Sequence, residues 1–286
     1  MSRWSERRER FRAVLSGTKC VHPGSVFDPV SARIAEDLGF EVGMFAGSIA
    51  SLAVLGAPDI IALTLSEFAD QAYRICRAGN LPLLCDADHG YGNAINVMRT
   101  VEELEVAGVA ALSIEDTALP QPFGSQGKAQ LTSIEEGVGK MRAALQARKD
   151  PGLVIAGRTS AASISTVADA IQRAKAYEVA GVDAIFLVGV KTRTDLDAIV
   201  GEIKLPLILG GPGKELLDLS YLGRRGVRVC LQGHQPFMAG VRAVHDTLKA
   251  LRDGVAAERL EGIASDELMK RLMRSDDYVR WGKDYL

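Results

Sequence analysis

A repeated switch between short apolar runs and longer segments of helical period, carried through nearly all 286 residues, is the feature that most constrains this chain. Short β-branched or apolar runs read as buried strands. Segments with apolar residues three and four apart read as helices, and their alternation is the pattern of a parallel sheet built from βα units. Strands are expected near Ser25-Val26-Phe27, over Glu41–Ala46, from Leu81 to Asp86, and over Val109–Ile114, Leu153–Gly157, Ala184–Val188, Leu205–Leu209 and Val227–Leu231, which makes eight. Asp28-Pro29 opens the first intervening helix, with Asp as N-cap and Pro at the first helical position. Ser133-Ile134-Glu135-Glu136 has the S-x-x-E spacing of a capping box. Buried faces are expected from Ile34, Ala35 and Leu38 on the helix after Asp28. On the helix over Ala94–Ala107 they are expected from Ile95, Met98, Val101, Leu104 and Val106.

Eight βα units in about 250 residues fit an α/β TIM-type (β/α)8 barrel. A doubly wound open sheet is the rival, but it would place a G-x-G-x-x-G fingerprint after its first strand, and none occurs there. No Pro/Ser-rich linker divides the chain, so a single domain is expected: an N-terminal helix over 1–16, the barrel over 17–254 and a C-terminal helical arm over 255–286. The Arg-rich opening is read as an amphipathic helix that covers the protein with Trp4, Phe11, Val14 and Leu15. In the arm, Leu268, Met269, Leu272 and Met273 form an apolar stripe that Tyr278, Trp281 and Tyr285 continue. Such a stripe requires either a partner surface or docking on its own barrel.

With 34 basic against 36 acidic residues the net charge is −2, which leaves no electrostatic footprint for nucleic acid or an anionic membrane. No apolar run approaches the roughly 18 residues of a membrane span, and no secretory signal follows Met1. Cys20, Cys76, Cys85 and Cys230 are widely separated and form no C-x-x-C pair, as in a cytoplasmic protein with reduced thiols. Small-molecule chemistry is the expectation.

In a barrel the carboxyl ends of all strands face one rim, where catalysis sits. Read from the sequence, that rim carries Asp28, Ser48, Asp86 with Asp88, Glu115 with Asp116, Arg158, Gly210-Gly211 and His234. Asp86 and Asp88, two apart at a strand end, point to the same side and can hold one hard cation. Oxygen ligands without thiols or paired histidines suit magnesium or manganese better than zinc. Taken singly, each of these residues also reads as a helix cap or a loop residue; together they describe a metal-carboxylate site that binds an anion.

The run Asp86-Ala87-Asp88-His89-Gly90-Tyr91-Gly92-Asn93, with Ala46-Gly47-Ser48 and Gly56-Ala57-Pro58-Asp59 before it and Ile114-Glu115-Asp116 after it, resembles the isocitrate lyase/phosphoenolpyruvate mutase superfamily. The resemblance runs from Ser25-Val26-Phe27-Asp28-Pro29 to Gly233-His234 and is nearest to the branch of bacterial oxaloacetate decarboxylases. It implies that Asp86 binds Mg2+, or Mn2+, directly, while Asp59, Asp88 and Glu115 hold its water ligands. Ser48 and the Gly47 backbone would grip the carboxylate of a small 2-oxo acid, Arg158 would hold the same substrate from another side, and His234 would lie near the reacting end. It further implies a modified barrel whose last helix is exchanged between subunits of a homotetramer, a dimer of dimers.

Members that split a C–C bond beside a hydroxyl carry a Cys-Gly-His loop after the fourth strand, and phosphonate-forming mutases carry an Asn there. Residues Thr117 to Leu131 contain no Cys, His or Asn, so both sibling activities lose support. Decarboxylation of a β-keto acid asks for less: the departing CO2 takes no proton, and a cation chelated by the substrate need only stabilise the enolate. One departure is the stretch Gly210-Gly211-Pro212-Gly213-Lys214, where relatives place a larger polar or aromatic residue; it reshapes the pocket beside His234. It is not a Walker motif, because Glu215 follows where Ser or Thr is required. The expected activity is magnesium-dependent decarboxylation of oxaloacetate or a close 2-oxo dicarboxylate. A C–C or P–C lyase on another acid and a non-catalytic metabolite-binding barrel are the alternatives.

Overall fold

A computed structural model describes residues 4–286. Its core is an eight-stranded parallel sheet in sequential order: β1 (Gly24–Ser25), β2 (Gly43–Phe45), β3 (Leu83–Asp86), β4 (Ala111–Glu115), β5 (Val154–Thr159), β6 (Ala184–Val188), β7 (Leu207–Gly210) and β8 (Val227–Cys230). Val21, just ahead of β1, pairs in parallel with Val229, accepting from Cys230 N and donating to Arg228 O at 2.9 Å each. That bridge closes the sheet into a barrel. The first strand is shorter and slightly earlier than its sequence suggests, because Val26 and Phe27 already turn towards the helix Pro29–Asp37.

Two apolar layers hold the barrel. Inward-facing Val42, Met44, Leu84, Ala111, Val154, Ala156, Ala184, Phe186, Ile208 and Val229 fill its lumen, and Phe11 and Leu15 of the N-terminal helix Ser5–Ser16 join them. Strand residues facing the other way, such as Phe45, Cys85, Leu112, Ile155 and Leu187, meet the surrounding helices. Burying so many β-branched and Leu side chains, each contributing about 1.5–3 kcal/mol, is the main stabilising term. The arginines of the first helix are anchored rather than solvated. Arg8 is buried, donating from Nε to Val109 O at 3.0 Å and from Nη1 to Asp150 at 2.6 Å, while Arg12 reaches Gly152 O, Leu153 O and Asp183. All four cysteines are buried free thiols.

Helix starts follow the local chemistry. Asp28 accepts from Ser31 N at 2.6 Å in a reciprocal capping box. Ser133 accepts from Glu136 N, which is half of the expected box. Helix faces are less well read. Ala32 and Ala35 are the buried residues of Pro29–Asp37, whereas Leu38 is 70% exposed. The helix Ala94–Ala107 buries Val97, Thr100, Val101, Leu104 and Ala107, leaving Ile95 and Val106 outside. Ala35, Val101 and Leu104 lie on the buried faces as expected, whereas Leu38, Ile95 and Val106 fall outside them and Ala32, Val97 and Ala107 take their places.

The last helices depart from a regular barrel. Gln235–Arg252 buries none of its side chains; Met238, Val241, Val244, Leu248 and Leu251 all stay exposed along it. In the arm, Asp266–Leu272 docks on its own barrel: Leu272 is buried, Arg33 donates to Leu272 O at 2.8 Å, and Arg274 pairs with Asp37 at 2.9 Å. Ser275–Tyr285 buries nothing, although Tyr278 and Trp281 pack edge to face at 5.2 Å. Among the described residues, no helix is long and apolar enough to cross a membrane.

Candidate active site

The carboxyl ends of the strands surround a cleft of about 250 Å3. Ser48, Asp59, Asp86, Asp88, Glu115, Arg158, Gly210, Gly211 and His234 all line it, although they come from seven separate stretches of chain. Met44, Phe186, Val188, Leu231, Ile61 and Leu119 complete the wall with apolar surface that the sequence did not single out. Their signal was present for the strand residues, since inward positions near a strand's carboxyl end must face either the lumen or the cleft.

Each polar group is placed by its strand end. Asp86 closes β3, Glu115 closes β4 and Arg158 lies next to the end of β5, so that Glu115 and Arg158 are direct partners across the β4–β5 ladder. Arg158 contacts Asp86 through Nη1 and Glu115 through Nε at 3.1 Å, and its guanidinium lies over the Phe186 ring at 5.3 Å. Asp88 follows β3 in left-handed backbone, with φ of 48°. Its carboxylate presses on Gly47: a Cβ there would sit 2.4 Å from Asp88 Oδ2, which is why glycine occupies a buried position directly beside the cleft. Asp59 comes from the loop containing Ile61, whose φ of 60° is costly for a β-branched residue and marks a loop shaped for something other than stability.

The electrostatics are those of an acidic cluster short of positive charge. Burial, and then the neighbouring Asp86, Glu115 and Asp59 carboxylates, push the Asp88 carboxyl well above the usual range. Burial likewise lifts Glu115 to about 7, opposed by Arg158 and reinforced by Asp86, and Asp59 rises through burial and Asp86. Arg158 keeps its charge, because Asp86 and Glu115 outweigh the burial that works against it. Carboxylates that raise one another in this way are relieved by a divalent cation. Among the described residues no three Asp, Glu, His or Cys side chains form a ready-made cage. The oxygen-only donor set of Asp59, Asp86, Asp88 and Glu115 fits a hard cation such as magnesium, which keeps several waters and takes one or two carboxylates directly.

His234 is oriented from behind by Ser25, whose Oγ lies 2.8 Å from Nδ1 and leaves Nε2 for the cleft. Burial lowers its pKa, against the pull of Asp86. Two residues read as part of the rim lie elsewhere. Asp28 is consumed as a helix cap. Asp116 is fully buried behind β4, accepting from Arg173 at 3.0 Å and Tyr177 at 2.7 Å. Successive residues of a strand end face opposite sides, so Glu115 and Asp116 could not both serve the cleft.

Comparison with known proteins agrees with this geometry. The family model described as phosphoenolpyruvate phosphomutase matches residues 11–252. An oxaloacetate decarboxylase of Rhodopseudomonas palustris (strain BisB18) is 58% identical over 283 residues, covering 99% of this chain and 98% of the relative. One from Bradyrhizobium diazoefficiens is 58% identical over 280 residues, covering 98% and 97%. Among solved structures, phosphonopyruvate hydrolase in complex with oxalate and Mg2+ superposes with a TM-score of 0.85 at 29% identity, covering 98% of this chain and 99% of that one. Oxaloacetate acetylhydrolase with the inhibitor 3,3-difluorooxalacetate gives 0.86 at 26% identity, covering 98% and 97%. With eight parallel strands, a carboxylate-lined cleft at their carboxyl ends and a family match across most of its length, the chain belongs to the phosphoenolpyruvate phosphomutase family, within the superfamily that its Asp86–Asn93 motif resembles.

Proposed function

We propose that this protein is a carboxy-lyase that converts oxaloacetate, or a close 2-oxo dicarboxylate, to pyruvate and CO2 with the help of Mg2+ or Mn2+. The observation that carries the reading is one cleft in which four carboxylates face a single guanidinium and a ring of apolar side chains. Full-length relatives at 58% identity bearing the name oxaloacetate decarboxylase support the same substrate.

Asp86 would bind the cation directly, with Asp59, Asp88 and Glu115 holding its waters. A divalent cation held there supplies Lewis-acid polarisation of the substrate's C2 carbonyl, lowering the barrier by several kcal/mol. Arg158, which meets Glu115 through Nε and Asp86 through Nη1, would turn its remaining Nη2 donors to a substrate carboxylate in a charge-assisted hydrogen bond. Ser48 and the Gly47 backbone would grip the same acid from the opposite wall. Phe186, Val188 and Leu231 line the same cleft, and a departing carboxylate held against them would be poorly solvated, which favours its conversion to neutral CO2. As the C3–C4 bond breaks, its electron pair becomes the C2–C3 double bond of the enolate, and C3 later takes a proton. His234, which lines the same cleft, would either supply that proton or orient the departing carboxylate.

The decarboxylase reading and the non-catalytic reading are separated by one assay, and release of glyoxylate from a hydroxylated tricarboxylate would instead favour a lyase. Purified protein is incubated with oxaloacetate, with and without Mg2+, and pyruvate is followed. Turnover well above the metal-only rate, lost in Asp86→Ala, supports the decarboxylase; tight oxaloacetate binding without turnover overturns it.

The proposed assembly is a homotetramer in which the helix Gln235–Arg252 covers a neighbour. Its exposed apolar stripe and the apolar groove lined by Phe27, Ile34, Leu38 and Phe40 are two apolar surfaces left open on one chain, which supports such an exchange. Val241→Asp with Leu248→Asp is expected to release smaller species in light scattering; an unchanged mass contradicts the exchange. The site chemistry and the free thiols are compatible with a cytoplasmic enzyme.

A further inference from the structure

The turn that carries Asp88 is strained and unusually well fastened. Asp88 and Tyr91 both sit in the left-handed region, with φ of 48° and 58°, on either side of His89 and Gly90. Non-glycine residues persist there only where the surroundings over-determine them, and such strain gathers at functional sites. Each of three successive carbonyls of this turn has its own donor. Asp88 O accepts from Glu115 N at 2.8 Å, His89 O from Lys140 Nζ at 3.0 Å, and Gly90 O from Thr100 Oγ1 at 2.9 Å. Thr100 and Lys140 are almost wholly buried, and they come from two different helices, Ala94–Ala107 and Ile134–Ala147.

Lys140 is the odd member. A buried ammonium is expensive unless paired, yet its hydrogen bond goes to a backbone carbonyl rather than to a carboxylate. Glu115, Asp116 and Glu136 supply longer-range compensation against the burial. Its place in the fold is explained by what it fastens. On the other side of the turn, the Asp88 carboxylate is pressed against Gly47, so Asp88 is held from behind by the turn and in front by the cleft wall.

We propose that Lys140 and Thr100 are positioning residues: by fastening the His89 and Gly90 carbonyls they lock the strained turn and hold Asp88 where the cation's shell requires it. The inference rests on the metal-site reading above and assigns the site's precision to two residues that do not touch it. Both helices pack against β4, so cation affinity is coupled to packing one layer away from the cleft.

The test measures Mn2+ affinity of the metal-free protein by electron paramagnetic resonance, together with hydrogen exchange at His89–Gly92. Thr100→Val, which keeps shape and removes the hydroxyl, and Lys140→Met, which keeps length and removes the ammonium, are each expected to weaken Mn2+ binding at least fivefold and to speed exchange across the turn. Thr100→Ser restores both. Ile199→Val, a core deletion on the helix Arg193–Val200, lowers stability without changing Mn2+ affinity. Should Lys140→Met fail to fold, Thr100→Val decides alone. Wild-type affinity in Thr100→Val overturns the inference while leaving the metal site standing. Failure of the wild-type protein to take up Mn2+ overturns the metal reading and the inference together.

Discussion

Removing one carboxylate from the cleft should stabilise the metal-free protein, and the size of the effect follows from Glu115. Its carboxyl titrates near 7 in the fold against an ordinary 4.5, mainly through burial. A carboxyl whose folded pKa is raised binds more protons folded than unfolded, so its contribution is fully present below about 4.5 and is lost as pH rises through about 7. Keeping it ionised at pH 8 therefore costs roughly 3 kcal/mol at 1.36 kcal/mol per pKa unit. Glu115→Gln avoids that cost. In chelator at pH 8 the variant should melt above the wild type by roughly 6 °C, at about 2 °C per kcal/mol for a chain of this size. The gap should close towards pH 5, and comparing the two proteins cancels titrations they share, such as that of His89, which burial lowers to about 4. Mg2+ at a hundredfold excess over its Kd should stabilise the wild type by about 2.7 kcal/mol, and the same Mg2+ concentration should stabilise the variant by less. Calorimetric melts across pH 5–8, with and without Mg2+, provide the measurement. A variant less stable than wild type at pH 8 without metal would refute the crowded-carboxylate reasoning.

Three further outcomes follow from single contacts. Gly47→Ala places a Cβ 2.4 Å from Asp88 Oδ2; Asp88 must move, and titration calorimetry should show Mg2+ affinity at least tenfold weaker while the circular dichroism is unchanged. Arg158→Lys keeps the charge but loses the fork, and kcat/KM for oxaloacetate should fall roughly ten- to hundredfold, the worth of a charge-assisted hydrogen bond; an unchanged value removes Arg158 from substrate binding. Ser25→Ala takes away the partner of His234 Nδ1, 2.8 Å distant. It should lower kcat about fivefold with little change in KM, as expected when a group that acts in the chemical step loses its orientation, and Ser25→Thr should recover most of the loss.

The barrel was legible because its strands after the short Gly24–Ser25 are centred on apolar runs that cannot be mistaken for an exposed surface, and because Asp28-Pro29 and Ser133 announce helices by chemistry that is local in sequence. The cleft was legible for a related reason: a charged residue directly after a buried strand has few places to point except the rim. What stayed hidden depends on contacts distant in sequence. Whether Glu115 or Asp116 faces the cleft is decided by Arg173 and Tyr177, 57 and 61 residues beyond Asp116. The centre of a buried helix face depends on which neighbours the helix meets: Ala32 and Ala35 make the contact on Pro29–Asp37, while on Ala94–Ala107 Val97, Thr100 and Ala107 join the expected Val101 and Leu104. Lys140 is marked by its spacing: it lies on the same face of its helix as Gly137, Met141 and Ala144, where a charged residue must have a buried partner.

Crystals grown with Mg2+ and oxalate, which mimics the enolate of pyruvate, would test the central claim most directly. The account requires a cation about 2.1 Å from an Asp86 oxygen, with Asp59, Asp88 and Glu115 reaching it through water and oxalate gripped by Arg158 and Ser48. A cation bound away from Asp86, or oxalate seated outside the cleft, would contradict it.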